Sequence, residues 1–175
     1  MRWMWIDSIV EHEPGQRMVA IKNVSLAEEH LHDHFPADDK GDALPIMPAS
    51  LIIEGMAQTA GVLVGTMSRF REKVILAKVV IAELEFEVGP GQVLRYDATL
   101  DRFDKLGAAT SGVVSVLTPP ASEWIAMGRI DLMFSHIDQN VSGLAFPEEN
   151  FVFSDNFRTI LRNAGLADLA DETNR

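Results

Sequence analysis

The feature that most constrains the fold is a long apolar segment that begins near Ala49 and ends near Arg69. Nearly all of its residues are Ala, Leu, Ile, Val, Met or Gly, so a helix formed here would be apolar on almost every face. Such a helix belongs inside a domain or a membrane, because it has no face suited to water. Pro48 suits the first helical position, where its missing N–H would have no intrahelical partner. The segment predicts a central helix that starts near Pro48.

Glu54 and Gln58 interrupt this apolar segment. They are four residues apart, which places both side chains on one helical face and within reach of each other. A buried carboxyl either finds partners, such as a backbone group or an arginine, or its pKa rises until it is neutral near pH 7. The first outcome is structural, and the second is what a proton donor requires. Both interpretations remain open from these residues alone.

Length and composition indicate one globular domain. The chain has 175 residues, of which 47% are hydrophobic and 23% are charged, and this is enough to build one core. It has no cysteine, which excludes disulfides and thiolate chemistry. The start MRWMWIDSIV lacks the basic end and apolar core of a signal peptide, so we expect a cytoplasmic location.

Charge argues against two classes of partner. The net charge of −11 disfavours nucleic-acid binding, because the 15 basic residues are scattered apart from one group at Arg69, Arg71 and Lys73. Residues 43–67 are long enough to span a bilayer, but this stretch contains two prolines, Glu54 and Gln58. The acid alone would cost roughly 3 kcal/mol in a membrane. We therefore expect no membrane span.

Strand patterns lie on both sides of the predicted helix. Apolar alternation and turn residues predict two strands before it and four after it, at Trp3 to Val10, Arg17 to Val24, Val74 to Val88, Gln92 to Phe103, Ala108 to Leu117 and Glu123 to Phe134. The expected fold class is α+β, with an antiparallel sheet of about six strands wrapped around one long, fully buried central helix. Trp3, Trp5, Met56 and Met67 are expected in its core.

A histidine-rich stretch precedes the central helix. Ser25 and Glu28 form a capping-box pattern, which predicts a helical turn over 25–31 that delivers the histidines to a loop. Alternating histidines in an extended segment would project to one side and offer a metal site together with nearby acids. The candidate ligands are His30, His32, His34, Asp33, Asp38 and Asp39, with His12 and His136 elsewhere in the chain.

Residues 138–175 are predicted to be an extension of a domain that covers residues 1–137. A loop with Pro147, Phe151 and Phe153 leads to Ser154-Asp155, which is expected to cap an amphipathic helix. The apolar face of that helix would carry Phe157, Ile160, Leu161 and Leu166. We expect the extension to dock on the body or on a partner subunit, and the end ADETNR to fray.

The motif HFP at His34, the string PIMPASLIIEGMAQ over residues 45–58 and the following AGVL resemble a known enzyme family. With IDSIV and GQRMVAIKNVS before them and GPGQ after them, they resemble the hot-dog-fold β-hydroxyacyl-acyl-carrier-protein dehydratases of type II fatty-acid synthesis. The resemblance covers about residues 3–135. HFP alone means little, and the specificity lies in its combination with P-x-x-P-x-x-L-x-x-E-x-M-A-Q.

This resemblance implies loss of water from a 3-hydroxyacyl thioester to give a trans-2-enoyl thioester, without a cofactor or metal. His34 would act at the C2 proton, and Glu54, from the other subunit of a homodimer, would protonate the departing hydroxyl. The N–H groups at Ala49 and Ser50 would bind the thioester carbonyl, and Gln58 would orient Glu54. Phe35 and Pro48 would complete the substrate site. Acyl carrier protein or coenzyme A would carry the substrate, and relatives often form trimers of dimers.

The chain departs from the family pattern at several points. The eight residues ADDKGDAL stand between Pro36 and Pro45, where relatives have about two, so His34 lies twenty positions before Glu54 instead of about fourteen. Asp33 and Ala49 replace glycines. The segment ELEFEV before Gly89 is acidic where relatives are basic, which weakens docking of an acidic carrier protein.

Two other functions fit the same residues. One is a hydratase or thioesterase of the same fold that acts on a coenzyme A thioester, with Glu54 placing a water in the thioesterase case. The other is a catalytically inactive hot-dog subunit that binds acyl chains. The longer loop and the lost glycines favour the inactive subunit, and the presence of both His34 and Glu54 argues against it.

Overall fold

A computed structural model describes residues 3–39, 41–137, 155–166 and 168. The strands are β1 (Ser8–Glu13), β2 (Arg17–Asn23), β3 (Lys73–Leu84), β4 (Val93–Asp104), β5 (Gly107–Leu117) and β6 (Ile125–Ile137). The helices are α1 (His30–Asp33), α2 (Ala49–Met67) and α3 (Asp155–Asn163). This order confirms the predicted α+β class, with two strands before the central helix and four after it.

The six strands form one antiparallel sheet in the order β1-β2-β4-β5-β6-β3, so β1 and β3 are its edges. Helix α2 contacts strands β2 to β6 on one face of this sheet. Leu94, Tyr96 and Ala98 of β4 are fully buried, whereas Arg95, Asp97 and Thr99 between them are not. This alternation is expected of a sheet with one face against an apolar helix.

Close packing between α2 and the sheet depends on two glycines. A Cβ at Gly55 of α2 would lie 2.4 Å from the ring of Tyr96, and a Cβ at Gly112 of β5 would lie 2.5 Å from Met56. Tyr96 and Met56 therefore occupy the space that side chains at these two positions would fill. The helix and the sheet approach each other more closely there than larger residues would allow.

The N-terminal end of α2 differs from the prediction. Pro48 is the N-cap residue and not the first helical residue, because its ψ of 136° is extended, and Ala49 starts the helix. Ala49 and Ser50 are exposed in the single chain, so the expectation of a fully buried helix is wrong for the first turn. Two thirds of the most apolar 18-residue window of α2 (67%) is nevertheless buried. This is the burial of a core helix, although its length and composition would suffice to cross a bilayer.

The C-terminal end of α2 has unusual backbone geometry. The helix ends at Met67, two residues before the predicted end, and Arg69 and Phe70 both have positive φ angles, of 53° and 56°. The N–H of Phe70 donates to the carbonyl of Gly65 at 2.8 Å, and the Phe70 side chain is only 1% exposed. Burial of this ring compensates for a conformation that non-glycine residues seldom adopt.

Five predicted strand ends are also wrong by two or more residues, and long-range contacts explain two of them. β1 ends at Glu13 and β6 at Ile137, each three residues later than predicted. β1 starts at Ser8 and not at Trp3, since the N–H of Trp5 donates to Oε1 of Gln58 at 2.8 Å. β3 ends at Leu84 and not at Val88, because the carbonyl of Val88 accepts the N–H of Met47 at 2.7 Å. β6 starts at Ile125, two residues later than predicted.

Helix α3 contacts β1. Its residues Phe157, Ile160 and Leu161 are buried in the same core cluster as the sheet, and Leu166 packs against that cluster. Pro147, Phe151, Phe153, the predicted cap at Ser154 and the end ADETNR lie outside the described residues. The division of the chain at residue 137 stays a prediction.

Candidate active site

Two N–H groups hold the carboxyl of Glu54. The indole Nε1 of Trp3 donates to Oε1 of Glu54 at 3.1 Å, and Nε2 of Gln58 donates to the same oxygen at 3.0 Å. Glu54 is half-buried in the single chain. The structure shows an acid with partners, but these are neutral N–H donors and not an arginine. An N–H can donate to a carboxyl oxygen whether the group is charged or protonated, so these partners are compatible with a proton donor.

Gln58 connects this acid to the start of the chain. It is 7% exposed, its Oε1 accepts the N–H of Trp5, and its Nε2 also donates to the carbonyl of Trp3 at 3.2 Å. The segment before β1 is thereby fixed to α2 beside Glu54. Gln58 therefore contacts Glu54, as their spacing of four residues predicts, and its role in orienting the acid stays a prediction.

The aromatic and methionine residues near α2 divide into two groups. Trp5 and Met56 are core residues as predicted, at 3% and 1% exposure. Trp3 at 61% and Met67 at 39% are exposed, so the core prediction is wrong for them. Trp3 lies outside the core because its ring packs across Trp5, with centroids 5.6 Å apart, and its N–H reaches Glu54.

Tyr96 packs against Gly55 of α2, the residue that follows Glu54. Burial raises the pKa of the Tyr96 hydroxyl, so this group stays protonated across the physiological range. Tyr96 is thus a neutral wall under the helix and is not a candidate base.

His34 is held differently. The histidine stretch is helical and not extended, because α1 runs over His30–Asp33 and His34 follows as its C-cap. The side chain of His34 is exposed, and its ring packs edge-on against Phe35 with centroids 4.5 Å apart. The carbonyl of Leu26 lies 2.6 Å from Nε2 of His32, and the ring of His30 packs on Trp5. The geometric basis of the metal-site interpretation is therefore wrong, and no group of three possible ligands occurs in the described ranges.

The backbone of α1 is anchored to the sheet through buried groups. Leu31 is 1% exposed, and Nζ of Lys22 on β2 donates to Glu28 at 2.6 Å and to Asp7 at 3.3 Å. Lys22 itself is only 5% exposed. Glu28 also accepts the N–H of Ser25, which is half of the predicted capping box. The chain just before His34 is thus fixed although the His34 side chain is at the surface.

The described residues of the inserted segment ADDKGDAL form a closed loop. The N–H of Leu44 donates to the carbonyl of Phe35 at 3.0 Å, which joins the two ends of the loop. Within it, Asp38 and Gly41 are paired through their backbones, and the Gly41 N–H also donates to Oδ1 of Asp38. The extra length is looped out, so Phe35 remains adjacent to the segment that enters α2.

A groove of about 320 Å³ lies between this entry segment and the end of β3. Its walls are mostly apolar, and two acids, Glu85 and Glu87, lie at its rim. The full lining is Phe35, Ile46, Met47, Pro48, Ala49, Ile52, Leu84, Glu85, Phe86 and Glu87. Three of the predicted substrate-binding residues, Phe35, Pro48 and Ala49, are therefore together, whereas Ser50 and Gln58 do not line this groove.

Helical geometry separates the groove from the acid within one chain. At 100° per residue, Ile52 in the groove wall and Glu54 point about 200° apart around α2. Glu54 and Gln58 therefore lie on a different face of the helix from the groove beside Phe35 and His34. The first hydrogen-bonded N–H groups of α2 are those of Leu51 and Ile52, which both reach the Pro48 carbonyl, so the N–H groups of Ala49 and Ser50 precede them at the exposed end.

One helix enclosed by a six-stranded antiparallel sheet defines the hot-dog fold, and solved structures share it. The dehydratase heterocomplex ApeI:P from Xenorhabdus doucetiae superposes with a TM-score of 0.57 at 17% identity, over 78% of this chain and 85% of that one. The Escherichia coli PaaI protein from the phenylacetic acid degradation operon superposes with a TM-score of 0.54 at 11% identity, over 75% and 79% of the two chains. The predicted fold is confirmed.

The model of the FabA-like domain family matches residues 2–116, and the chain belongs to this family. The 3-hydroxyacyl-(acyl-carrier-protein) dehydratase FabZ of Acetivibrio thermocellus is 38% identical over 140 residues, which covers 79% of this chain and 87% of that protein. The FabZ of Ruminiclostridium cellulolyticum is 35% identical over 112 residues, covering 63% and 74%. The family resemblance drawn from the motifs is confirmed.

Two parts of the site were missed by sequence reasoning. The Trp3 donor to Glu54 is separated from it by 51 positions, and nothing in the local pattern indicates such a contact. The Lys22–Glu28 anchor has a weak signal, since Lys22 is the charged residue within the apolar strand MVAIKNV, but its partners cannot be identified from that pattern.

Proposed function

We propose that this protein is a 3-hydroxyacyl-(acyl-carrier-protein) dehydratase of fatty-acid biosynthesis, with His34 as base and Glu54 as acid. The observation that carries the proposal is the bond from Leu44 N–H to the Phe35 carbonyl. It closes the inserted loop, so the HFP segment meets the start of α2 as it would with a short loop. The inserted segment ADDKGDAL is therefore compatible with the reaction of the family.

The proposed reaction is a β-elimination. The imidazole of His34 takes the proton from C2, the electrons of that C–H bond form the C2=C3 double bond, and the C3–O bond breaks. The carboxyl of Glu54 gives its proton to the departing oxygen, which leaves as water. The N–H groups of Ala49 and Ser50 stabilise the negative charge that develops on the thioester oxygen. Exchange with water then returns the histidine and the carboxyl to their starting states.

We further propose that the two catalytic groups of each site come from different subunits of a homodimer. Within one chain, α2 directs Glu54 away from the groove beside His34, and both groups are accessible. A second copy would supply the missing partner to each. The groove at Pro48, Ala49 and Ile52 would then form part of the channel for the acyl chain.

The edge strand β3 is suited to this dimer interface. Among the described strands β6 is its neighbour on one side, and its other edge has no strand partner. Leu76, Val79 and Val80 on it are 36–48% exposed, which is an aggregation hazard in an isolated chain. Pairing of β3 with the same strand of a second copy would cover these residues symmetrically.

We also propose that an acyl carrier protein carries the substrate and that the protein is cytoplasmic. The FabZ names specify an acyl carrier protein, and a cytoplasmic location fits such an enzyme. The rim acids Glu85 and Glu87 repel an acidic carrier, so Arg69, Arg71 and Lys73 would have to provide the attraction. A trimer of dimers remains the expected larger assembly.

The direct test is an assay of the purified chain with 3-hydroxyacyl and 2-enoyl thioesters on both carriers. We expect enoyl formation that falls by about 10²–10⁴-fold in Glu54→Gln and in His34→Ala, since each removes a positioned proton-transfer group. Release of free thiol would instead support the thioesterase alternative. Acyl binding without turnover would support the inactive subunit.

A mixing experiment tests the shared site. Glu54→Gln and His34→Ala chains are each expected to be inactive, but co-expression should restore about a quarter of wild-type activity, since half of the dimers carry one intact site of two. Absence of restoration in mixed dimers would contradict a site shared between subunits. The control is a mixture of Glu54→Gln with wild type, which tests whether one damaged site lowers the activity of the other.

A further inference from the structure

The side chain of Trp3 contacts the candidate acid from outside the secondary structure. Trp3 precedes β1 and is 61% exposed, yet its Nε1 lies 3.1 Å from Oε1 of Glu54. An indole has one N–H donor and no acceptor. Trp3 therefore donates to this carboxyl whether the carboxyl is charged or protonated.

The position of the Trp3 ring is fixed at two points. Its backbone carbonyl accepts Nε2 of Gln58 at 3.2 Å, and its ring packs edge-on against Trp5 at an interplanar angle of 88°. Trp5 is in turn buried, and its N–H is bonded to Gln58. The indole N–H is thus directed at Glu54 by a buried support and not by a chance surface contact.

Both donors reach the same carboxyl oxygen. Trp3 and Gln58 each donate to Oε1 of Glu54, at 3.1 and 3.0 Å. A protonated carboxyl has one oxygen that carries the hydrogen and one that only accepts. Oε1 already accepts two N–H groups, so the hydrogen of the acid form belongs on Oε2.

We propose that Trp3 is a positioning residue that, with Gln58, holds Oε1 of Glu54 so that Oε2 delivers the proton to the departing hydroxyl. This inference rests on the proposed dehydration. As the proton leaves Oε2, the O–H bond electrons stay on the carboxylate, and the C3–O bond electrons leave with the water. The two N–H groups on Oε1 stabilise the negative charge that Glu54 gains.

The test is Trp3→Phe, which keeps an aromatic ring and removes the N–H. We expect kcat to fall about 10- to 100-fold, since a hydrogen bond to a group that becomes charged is lost, with KM within about twofold. The alkaline limb of the kcat profile should move to higher pH, because the variant stabilises the carboxylate less. A purely structural role of Trp3 would not move this limb.

Trp124→Phe is the matched control. Trp124 lies directly before β6, whereas the two N–H donors to Glu54 belong to Trp3 and Gln58, so the variant also loses an indole N–H but no bond to Glu54. Trp5 is not used as the control because its ring supports that of Trp3. We expect Trp124→Phe to keep the wild-type alkaline limb. Equal losses of kcat in both variants, or an unchanged limb in Trp3→Phe, would overturn the proposal.

An NMR measurement separates this inference from the proposed function. In ¹⁵N-labelled protein, the Trp3 indole resonance, assigned by its loss in Trp3→Phe, should shift in Glu54→Ala, and the Trp124 resonance should not. An unchanged Trp3 resonance would overturn the inference even if the enzyme is active. A wild-type chain without dehydratase activity would overturn the proposed function, and the resonance would still decide whether the Trp3–Glu54 bond exists.

Discussion

Glu54 and His34 are held in opposite ways. Glu54 lies in the second turn of a core helix. Its carboxyl is held by Gln58, four positions away, and by Trp3, 51 positions away. His34 lies at the end of a one-turn helix, with an exposed ring against Phe35. The acid is thus positioned by its own chain, whereas the histidine has an anchored backbone and an exposed side chain. Changes at the two sides should therefore have different consequences.

The largest effect is expected from Val80→Asp on β3. This change would break the proposed dimer and so separate His34 of one subunit from Glu54 of the other. Val80 is 48% exposed, so a charge there should not disturb the fold, but it would be buried unpaired in a β3–β3 interface. We expect a monomer in sedimentation velocity and a loss of activity of about 100-fold or more.

Val113→Asp is the matched control for this experiment. Val113 is 47% exposed but lies on β5, inside the sheet and away from the free edge. We expect it to leave the dimer and the activity intact. A dimeric, active Val80→Asp protein would refute the proposed interface.

A second change strains the acid side within one chain. Gly55→Ala would place a Cβ 2.4 Å from the Tyr96 ring. We expect this overpacking to lower the free energy of unfolding by about 1–3 kcal/mol. Gly61→Ala on the same helix meets its nearest neighbour, Phe134, at 3.6 Å and should be neutral or stabilising. Urea unfolding of both variants measures the difference in free energy of unfolding. Equal values would show that Gly55 and Tyr96 are not tightly packed in solution.

A third change addresses the groove on the histidine side. Glu85→Lys combined with Glu87→Lys should raise kcat/KM for a carrier-protein substrate about tenfold at low salt, because repulsion of an acidic carrier becomes attraction. The gain should shrink as salt increases. A substrate on a short, uncharged thioester carrier serves as the control and should show no gain. An equal gain for both would mean that the acids act on the groove itself.

Acidic pH should destabilise the packing of His30 on Trp5. Burial lowers the pKa of His30, which packs on Trp5, so the folded state resists its protonation. Stability from the neutral ring is present above the ordinary value of 6.5 and is lost as the pH falls through the lowered pKa. Burial lowers the pKa of His12 in the same direction. Thermal unfolding of His30→Gln should therefore show a shallower loss of stability below pH 6.5 than wild type, and an identical slope would contradict this.

The smallest effect is expected from shortening the inserted loop. Replacement of residues 37–43 by two glycines keeps Phe35 and Leu44, whose backbones already meet. We expect activity within about threefold of wild type, because closing a shorter loop changes the entropy only slightly. A large loss would show that the inserted loop itself, and not only its closed base, supports His34.

The sequence predicts the elements of this fold well because their signals are local. Strand alternation and the apolar run over residues 49–67 each arise from neighbouring residues, and the family motifs predict His34 and Glu54 as the catalytic pair. The errors occur where distant groups compete for a backbone or side chain. Trp5 leaves the predicted first strand because Gln58, 53 positions away, takes its N–H. The bond from Trp3 to Glu54 is invisible in sequence for the same reason.

The histidine stretch shows a different limit. The capping pattern of Ser25 and Glu28 correctly predicts a turn, but helical structure continues through Asp33, since Leu31 is buried in the core. The alternation of His with other residues in this stretch is compatible with an extended conformation as well as with a helical one. Only burial of Leu31 and the Lys22–Glu28 pair decides between the two geometries.

The backbone clasp between Phe35 and Leu44 also has a practical consequence. A chain whose ends already meet can be cut or lengthened between them without moving either neighbour. Residues 38–41 are therefore a suitable place for new termini in a circular permutant, or for a grafted epitope or fluorescent reporter. Such variants would place a probe beside the groove while leaving the HFP segment in its native register.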